Sequence, residues 1–324
     1  MSDHPFSQFL RILGKGPKSR RPLTVEESID ALKMVLDGQV TDKQLGAFLL
    51  LMRANGETPE ELIGFVQGLR QYYALKGSDS YADLDIAAYA GKWRYPPYFL
   101  LSVKLLVENG VKVLLHGDSG QFEDRQYAES FMADLGFYQA QSVEEAKSRL
   151  GSGEAVYLPL TAFAPALKDI LHLKSEIGVR TVFNTAVKML NPLNAPVAVQ
   201  GIFHKGVEKL HHAAAQVNGG QTNLVFKGEG GEPEIRPDAL NFLFFSLDGA
   251  KTDLDEVRYP SFVERAIRPK TWENSHVLKL WQGDVEDVYG EGAVIGTLAA
   301  YLMALEHLEV EAALNKAERW WQNR

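Results

Sequence analysis

The residues best suited to chemistry stand in one loop of the segment DIAAYAGKWRYPPY, residues 85–98. A short apolar run, which predicts a strand, precedes the loop, and the helix-like run FLLSVKLLVENG follows it. Loops in this position often hold a phosphate, because several glycines let backbone N–H groups approach it. This loop instead has one glycine, followed by cations that alternate with aromatic residues: Gly91, Lys92, Trp93, Arg94 and Tyr95.

Cations between aromatic residues suit a nucleic-acid strand, since the cations can meet phosphates while the rings stack on bases. The alternative is that Trp93 and Tyr95 pack the loop onto its own domain, because aromatic side chains carry a large apolar surface. The sequence leaves both interpretations of this loop open.

A second loop, LLHGDSGQFEDR, follows another strand-like run and begins with His116, Gly117 and Asp118. Ligands of open α/β sheets bind outside the carboxyl ends of the strands, so this position favours a binding role. A His–Asp pair here could bind a hydroxyl group or serve acid–base chemistry, although His116 could equally cap the strand end. The sequence contains no nucleophile elbow, no HExxH motif and no P-loop.

A third group of polar residues lies in GVRTVFN and the residues that follow it. Arg180 and Asn184 are four residues apart, which places them on one helix face if the segment is helical, and Lys188 adds a positive charge to that face. This face could hold a carboxylate, a phosphate or an aromatic amine. Alternatively, Arg180 pairs with Glu176 and Asn184 caps a turn.

Positive charge is also concentrated near the N-terminus. Residues 11–22 contain no acid and five cations: Arg11, Lys15, Lys18, Arg20 and Arg21. The net charge of −8 argues against a polyanionic partner, but the local field decides local binding. The alternative is that these cations form an ordinary solvated surface.

Composition limits the chemistry further. The chain of 324 residues has no cysteine, which excludes disulfides, a thiolate nucleophile and Cys-ligated metals, and this fits a cytoplasmic protein. The N-terminus does not resemble a signal peptide, and no apolar run of 18 residues is evident, so we expect no membrane span.

The first 75 residues carry three helix-start signals, Thr24–Glu27, Thr41–Gln44 and Thr58–Glu61, each with the spacing of a capping box. They predict a small unit of capped helices. The helix predicted at 41–55 is apolar on more than one face, so it is either buried in a core or paired with a second subunit.

Strand-like and helix-like runs alternate from residue 83 onward, which predicts an α/β domain with a mostly parallel sheet. The segment 164–190 predicts a long helical stretch among the strands, and the C-terminal residues predict one or two helices. We therefore expect a helical domain at 1–78, joined by part of 164–192, and an α/β domain at 79–324.

Three segments resemble the anthranilate phosphoribosyltransferase family, also called glycosyl transferase family 3. Residues 23–70 resemble its N-terminal helical domain, GVRTVFNTAVKMLNP resembles its GxRTxFNxxGPLxNP segment, and GIFHKGVEKLHHAAAQVNGG resembles the strand and helix that follow. The resemblance implies a small helical domain, a larger α/β domain, a cleft between them and a homodimer through the helical domains. In that family the cleft holds phosphoribosyl pyrophosphate and magnesium.

The sequence departs from the family in its ligand-binding loops. The family's GTGGD loop corresponds to residues 88–92, AYAGK, and its KHGN motif corresponds to residues 115–118, LHGD. The metal-binding Asp–Glu pair corresponds to Pro233 and Glu234, and the proline of GPL corresponds to Lys188. These changes imply a weakened phosphate cradle, a lost metal ligand and added positive charge. The family's anthranilate-site residues correspond to Arg180 and Asn184.

The leading hypothesis is a cytoplasmic, dimeric protein of this fold that has lost the standard chemistry, needs no cofactor and binds single-stranded DNA or RNA without sequence preference. It resembles a divergent second branch of the family. The predicted small-ligand cleft comprises Gly91, Lys92, Arg94, His116, Gly117, Asp118, Arg180 and Asn184. The predicted nucleic-acid surface comprises Lys15, Lys18, Arg20, Arg21, Lys92, Trp93, Arg94, Tyr95, Arg180 and Lys188.

Two other functions fit the same residues. One is a phosphoribosyltransferase that uses magnesium and acts on an altered aromatic amine or acid, held by Arg180 and Asn184. The other is a regulator that binds a small anion without catalysis. Bound magnesium and phosphoribosyl pyrophosphate would identify the enzyme.

Overall fold

The computed structural model of the chain describes residues 3–75, 79–246 and 256–324. The domain boundary predicted at residue 78 falls in residues 76–78, outside the described residues. The N-terminal unit contains four helices: α1 Ser7–Gly14, α2 Val25–Leu36, α3 Asp42–Asn55 and α4 Pro59–Tyr72.

The three predicted capping boxes form at Thr24, Thr41 and Thr58, where each hydroxyl accepts a hydrogen bond from the N3 amide. Helix α1 has no side-chain cap, which explains why no start signal for it is evident in the sequence. It is held instead by packing, with the ring of Phe6 lying 5.2 Å from that of Phe48 on α3.

The second domain is built on an eight-stranded sheet in the order β3-β4-β2-β1-β5-β6-β7-β8. All neighbours from β3 to β6 in this order are parallel, as predicted, whereas β7 pairs antiparallel with both β6 and β8. The strands are β1 Leu84–Ala88, β2 Val113–Gly117, β3 Tyr138–Gln139, β4 Val156–Pro159, β5 Val197–Ile202, β6 Thr222–Lys227, β7 Asn241–Ser246 and β8 Glu256–Tyr259.

Helices cover both faces of this sheet, so that its central strands are buried on both sides. The remaining helices are α5 Phe99–Glu108, α6 Met132–Leu135, α7 Val143–Gly151, α8 Leu160–Phe163, α9 Ala166–His172, α10 Lys174–Ile177, α11 Val182–Ala186, α12 Val207–Asn218, α13 Ser275–Gln282, α14 Val288–Glu306 and α15 Val310–Gln322.

The long helical stretch predicted at 164–190 is instead divided into short helices. Gly178 adopts a left-handed φ of 81°, which ends α10, and Thr181 then starts α11 as a new cap. Helix α11 packs on α4, where the ring of Phe183 lies 5.3 Å from that of Phe65. This segment therefore shares its hydrophobic core with the N-terminal helices.

Helix α14 runs through the core of the α/β domain. In the described part of the chain it is the one helix long and apolar enough to cross a membrane by length and composition, although no such run was expected from the sequence. Most of it is buried against the rest of the fold, as in the core helix of a folded domain. Thr297 on α14 accepts a hydrogen bond from the N–H of Ile235, and Tyr301 donates one to the carbonyl of Pro233, so the helix positions the loop after β6.

Candidate functional site

The candidate site is a cleft above the carboxyl ends of β1, β2, β5 and β6, and it is bordered by the end of α3 and by α11. Its floor contains Lys92, whose side chain is 1% exposed. The Nζ of Lys92 donates to Glu229 Oε2 at 2.6 Å and also to Glu234 Oε1. Burial lowers the pKa of Lys92, but the carboxylates of Glu234 and Glu229 outweigh that effect and raise it overall.

Lys92 was predicted to contact phosphates from the surface, and the structure contradicts this. The chain forms a backbone bridge between Lys92 and Gln126, and the lysine side chain reaches inward to two carboxylates about 140 residues further along the sequence.

The same geometry affects the binding of magnesium, because the ammonium group of Lys92 lies between Glu229 and Glu234. The residues present therefore do not fit the metal that the resemblance implied. In the described ranges, no group of three or more His, Cys, Asp or Glu residues could hold a metal ion.

Gly91 lies next to the buried Lys92 and its two carboxylates, and it faces a third carboxylate, that of Glu232. Oε1 of Glu232 accepts hydrogen bonds from the backbone N–H groups of Ala90 at 3.0 Å and Gly91 at 2.6 Å. Gly91 has a left-handed φ of 68°, and a Cβ there would lie 3.0 Å from Arg125. Glycine is therefore required at the turn of the loop, but its N–H is occupied by the protein's own side chain.

Lys188 is also buried, which contradicts its predicted role in contacting a nucleic-acid strand. Its Nζ donates to the carbonyl oxygens of Gly201 at 2.6 Å and Gly231 at 2.9 Å. Burial lowers the pKa of Lys188 to about 8. The lysine thus ties the end of β5 to the loop after β6.

Tyr95 does not offer a free ring for stacking, in contrast to its predicted role. Its ring stacks on that of Tyr289 with centroids 3.9 Å apart, and the residue is 9% exposed. Trp93 is half-buried, with the guanidinium groups of Arg125 and Arg94 lying 3.9 Å and 4.9 Å from its ring centroid. Within this loop, Trp93 and Arg94 therefore remain accessible.

The predicted pair of His116 and Asp118 does not form. His116 is fully buried at the end of β2, where Nδ1 lies 2.8 Å from the hydroxyl of Tyr89 and Nε2 lies 3.2 Å from Asp85. Asp118 is buried against His172, with 2.8 Å between its Oδ2 and the imidazole Nε2. Closeness in sequence did not bring these two side chains together, because each is bound by a partner from another element.

Gly117 has a packing role rather than a binding role. A Cβ at this position would lie 2.1 Å from the carbonyl oxygen of Ala88 on the neighbouring strand. Such a contact is impossible, so only glycine allows β1 and β2 to end side by side at the cleft.

Arg180 and Asn184 do lie at the cleft, but not on one helix face. Arg180 precedes the cap of α11, and Oδ1 of Asn184 accepts from the N–H of Thr181 at 2.9 Å. Asn184 Nδ2 is within 3.4 Å of Gln121 Oε1 on the loop after β2. Burial lowers the pKa of Arg180, and the nearby charges of Arg125 and Arg53 lower it further.

The main feature of the cleft is a group of four cations, here called the outer cation cluster. Arg125, Lys174 and Arg180 surround the ring of Phe122, and Arg53 lines the cleft together with Arg180. Arg125 lies 4.0 Å, Lys174 4.1 Å and Arg180 5.4 Å from the ring centroid of Phe122. In the described part of the chain, no member of the cluster forms an ion pair with a carboxylate, although Glu57 also lines the cleft.

The predicted site lacked four of these residues: Arg53, Phe122, Arg125 and Lys174. The spacing of Phe122 and Arg125 in the second loop was the available signal, because it repeats the aromatic–cation pattern of the first loop. Arg53 offered no signal, since a cation in the last turn of a helix is expected from the helix dipole alone.

The predicted N-terminal cations are exposed, and one of them connects to the cleft. Arg20 donates to Asn55 Oδ1 at 2.7 Å, which holds it against the turn of α3 that carries Arg53. Arg21 forms two hydrogen bonds of 2.6 Å and 2.7 Å with Glu27, so its charge is compensated within the protein. Lys15 and Lys18 are exposed to solvent.

Comparison with known proteins identifies two matching family models. Residues 7–72 match the helical bundle domain of a glycosyl transferase family, and residues 109–254 match the a/b domain of a glycosyl transferase family. Among relatives, the anthranilate phosphoribosyltransferase of Metallosphaera sedula is 28% identical over 71% of this chain, and the match spans 66% of that protein. The enzyme of the same name from Leifsonia xyli is 24% identical over 93% of this chain and 94% of its own length.

Among solved structures, anthranilate phosphoribosyltransferase from Thermus thermophilus matches with a TM-score of 0.78 at 21% identity. The match covers 98% of this chain and 94% of that one. At this identity the likeness establishes the fold, and it confirms the predicted helical domain joined to a larger α/β domain with a mostly parallel sheet.

Proposed function

This chain belongs to the glycosyl transferase family whose helical bundle and α/β domains it contains, and from that premise we propose that it is a single-stranded nucleic-acid-binding protein on an anthranilate phosphoribosyltransferase-like fold. The ligand is DNA or RNA, bound in the cleft between the helical unit and the sheet without sequence preference. Cytoplasmic location and a homodimer through the helical domain belong to the same proposal.

The outer cation cluster is the observation that carries this proposal. Burial is the main cause of the lowered pKa of Arg180, and the charges of Arg125 and Arg53 lower it further. Neighbouring cations of this kind repel one another, and a bound anion relieves that repulsion. Guanidinium groups are suited to phosphate because their donors form a planar fork. A strand of several phosphates can satisfy several such groups at once.

The aromatic residues of the cleft supply the second requirement for binding a nucleic-acid strand, which is base stacking. Trp93, Phe122 and Phe203 are each partly exposed, and cations lie close to all three rings. Stacking of a base on such a ring contributes about 1–3 kcal/mol and tolerates any sequence. Arg20, held at the end of α3, extends the positive surface from the cleft toward Lys18 and Lys15.

The test is a titration of the protein with a fluorescent single-stranded oligonucleotide at several salt concentrations. We expect tight binding at low salt that tolerates changes of sequence. Replacing two cluster members, Arg125→Ala with Arg180→Ala, should weaken binding and reduce the slope of log K against log salt by roughly 1 to 1.5.

The matched control is the double variant Lys112→Ala with Arg319→Ala. It removes the same formal charge from outside the cleft, since Lys112 immediately precedes β2 at the opposite edge of the sheet and Arg319 lies on α15. The control should retain the wild-type salt slope. If the oligonucleotide does not bind at low salt, or if both double variants lose the same slope, the proposal is wrong.

The second candidate function is a phosphoribosyltransferase that acts on an altered aromatic amine or acid. The names of the relatives favour it, and so does the position of Arg180 and Asn184 in the cleft. The occupied floor argues against it, because Lys92 and Glu232 take the positions suited to a cation and a phosphate. Pyrophosphate release from phosphoribosyl pyrophosphate, dependent on magnesium and an aromatic acid, would establish this function instead.

A further inference from the structure

The floor of the cleft contains an anion-binding corner that a side chain of the protein already fills. Two successive backbone N–H groups, those of Ala90 and Gly91, point at the same oxygen of Glu232, at 3.0 Å and 2.6 Å. Successive N–H groups that converge in this way form a concave site, which proteins use to bind phosphate and other anions. Here the anion is an internal carboxylate.

Among the described residues, the two amides are the groups that hydrogen-bond to this carboxylate. Glu232 is 1% exposed, and its second oxygen, Oε2, has no hydrogen-bond partner in the described part of the chain. Lys188 is close enough to influence Glu232, but its Nζ donates to the carbonyl oxygens of Gly201 and Gly231 instead. Glu232 therefore forms no direct salt bridge with Lys188. Its described polar contacts are those it makes with the amide pair.

The backbone that carries Glu232 is packed too tightly to withdraw. A Cβ on Gly201 would lie 2.2 Å from the carbonyl carbon of Glu232, and one on Gly228 would lie 1.7 Å from its carbonyl oxygen. Lys188 additionally ties the preceding carbonyl, that of Gly231, to β5. The backbone that positions the carboxylate therefore has no room to shift on the side of these glycines.

The neighbouring position for a cation is filled in the same manner. The ammonium of Lys92 lies between the buried carboxylates of Glu229 and Glu234 and donates to both. The protein thus supplies both an anion and a cation where a bound diphosphate and its counter-ion would otherwise have to fit. The outer cation cluster lies beyond this floor and keeps its charge available.

We propose that Glu232 is the residue that determines which phosphates the cleft accepts: it closes the inner corner to small phosphate and diphosphate anions. Phosphate groups can then bind only at the outer cation cluster. This role of Glu232 is independent of nucleic-acid binding, because it concerns which anions reach the amides of Ala90 and Gly91.

The experiment measures binding of inorganic pyrophosphate, without metal, to the wild type, to Glu232→Ala and to Glu232→Gln by isothermal titration calorimetry. Glu232→Ala frees both amides and should bind pyrophosphate about ten- to a hundredfold more tightly than the wild type. Glu232→Gln is the matched control, because its amide oxygen still accepts from both N–H groups, and it should behave like the wild type. The side chains of the outer cation cluster are unchanged in all three proteins. The alanine and glutamine variants also remove the same charge, so the difference between them isolates the opening of the amide pair.

Thermal unfolding provides a second readout, since a ligand that binds only the folded state raises the unfolding midpoint. Pyrophosphate should raise the midpoint of Glu232→Ala more than that of the wild type. Should the alanine variant fail to fold, Glu232→Ser is the second opening variant, because its short hydroxyl leaves the amide pair vacant. It should show the same gain.

Equal pyrophosphate affinity in the wild type and in a folded opening variant would overturn the proposal, and so would an equal gain in Glu232→Gln. Oligonucleotide binding is measured on the same wild-type sample. If the wild type does not bind the oligonucleotide but the opening variant gains pyrophosphate affinity, only the proposal of nucleic-acid binding is refuted. If the wild type binds the oligonucleotide but the opening variant gains no pyrophosphate affinity, only the role of Glu232 is refuted.

Discussion

Lys92 and Arg125 stand on adjacent loops of the cleft and have opposite roles. Lys92 is enclosed by Glu229 and Glu234, so its charge is neutralised inside the protein. Arg125 uses one donor on the carbonyl of Ala90 at 2.6 Å, and its guanidinium otherwise lies against aromatic rings at the cleft surface. The environment of each cation, rather than its charge, decides whether it can reach a ligand.

His211 shows the same dependence on environment for a titrating group. It is buried behind the cleft, with Nδ1 lying 2.7 Å from Gln200 Oε1, and Gln200 in turn donates to Asn223 at 3.2 Å. Burial lowers the pKa of His211 to about 3, and the charge of Lys188 contributes in the same direction. The folded protein therefore keeps this histidine neutral at pH values where the unfolded chain is protonated.

From this we predict an acid-sensitive stability that His211 controls. Between about pH 6.5 and pH 3 the unfolded chain binds a proton that the folded chain does not, so stability is lost as the pH falls. Relative to His211→Gln, the wild type should lose up to about 1.4 kcal/mol of unfolding free energy per pH unit below 6.5. Urea denaturation at about pH 7, 6 and 5, which spans the upper part of this window, measures the difference.

The control for this prediction is His307→Asn, which replaces an exposed histidine at a left-handed position that asparagine tolerates. That variant should follow the wild-type pH dependence. If the unfolding free energies of the wild type and His211→Gln changed in parallel with pH, His211 would not be the cause of the stability loss at acid pH.

At the level of elements, the cleft depends on glycines where strands and loops approach each other closely. Gly117 lets β1 and β2 end together, and Gly201 lets the loop that carries Glu232 lie on β5. Gly46 differs, because it lies within α3 and a Cβ there would meet nothing within 4 Å. Glycines in the same chain thus have opposite expected responses to substitution.

We predict that Gly201→Ala destabilises the protein by about 2–4 kcal/mol, because its Cβ would overlap the backbone of Glu232. Gly46→Ala should instead stabilise it by about 0.5–1 kcal/mol, since alanine loses less backbone entropy in a helix. Chemical denaturation of both variants measures the change in unfolding free energy, which should have opposite signs in the two. A Gly201→Ala protein as stable as the wild type would mean that the loop has room to move.

At the level of the whole molecule, the proposed homodimer offers a specific reason for an exposed apolar residue. Helix α3 buries Phe48, Leu49 and Met52 in the core, while Leu50 points outward and is 46% exposed. This agrees with the apolar character that the sequence shows on more than one face of the helix. An outward leucine on a helix already apolar inside suits contact with a second copy of the chain.

We predict that Leu50→Glu converts the dimer to a monomer, because the interface would bury two unpaired carboxylates. Size-exclusion chromatography with light scattering measures the mass. Leu240→Glu is the control, since Leu240 is equally exposed but lies in the α/β domain, before β7. A wild-type monomer, or equal effects of both variants, would contradict assembly through α3.

Sequence determined the elements of this protein, because their signals are local. Capping boxes act over three residues, and apolar runs with the period of a strand or a helix predict where each element forms. The parallel sheet and the three capped helices followed from such signals, and the similarity to known relatives of the family rests on the same segments. The broken segment 164–190 was one exception, since Gly178 and Thr181 end one helix and start another within four residues. Helix α1, which has no side-chain cap, was another.

Tertiary structure decided the content of the cleft, because burial and pairing depend on residues far apart in the chain. Lys92 meets Glu229 and Glu234 across 137 and 142 residues, and the amide of Gly91 meets Glu232 across 141. No local pattern announces such contacts, so cations predicted at the surface proved to be internal. Arg53 and Arg180 reach one cleft only because α11 packs on the helical unit. The sequence could show that positive charge was present, and only the folded chain determines which of those charges remain available to a ligand.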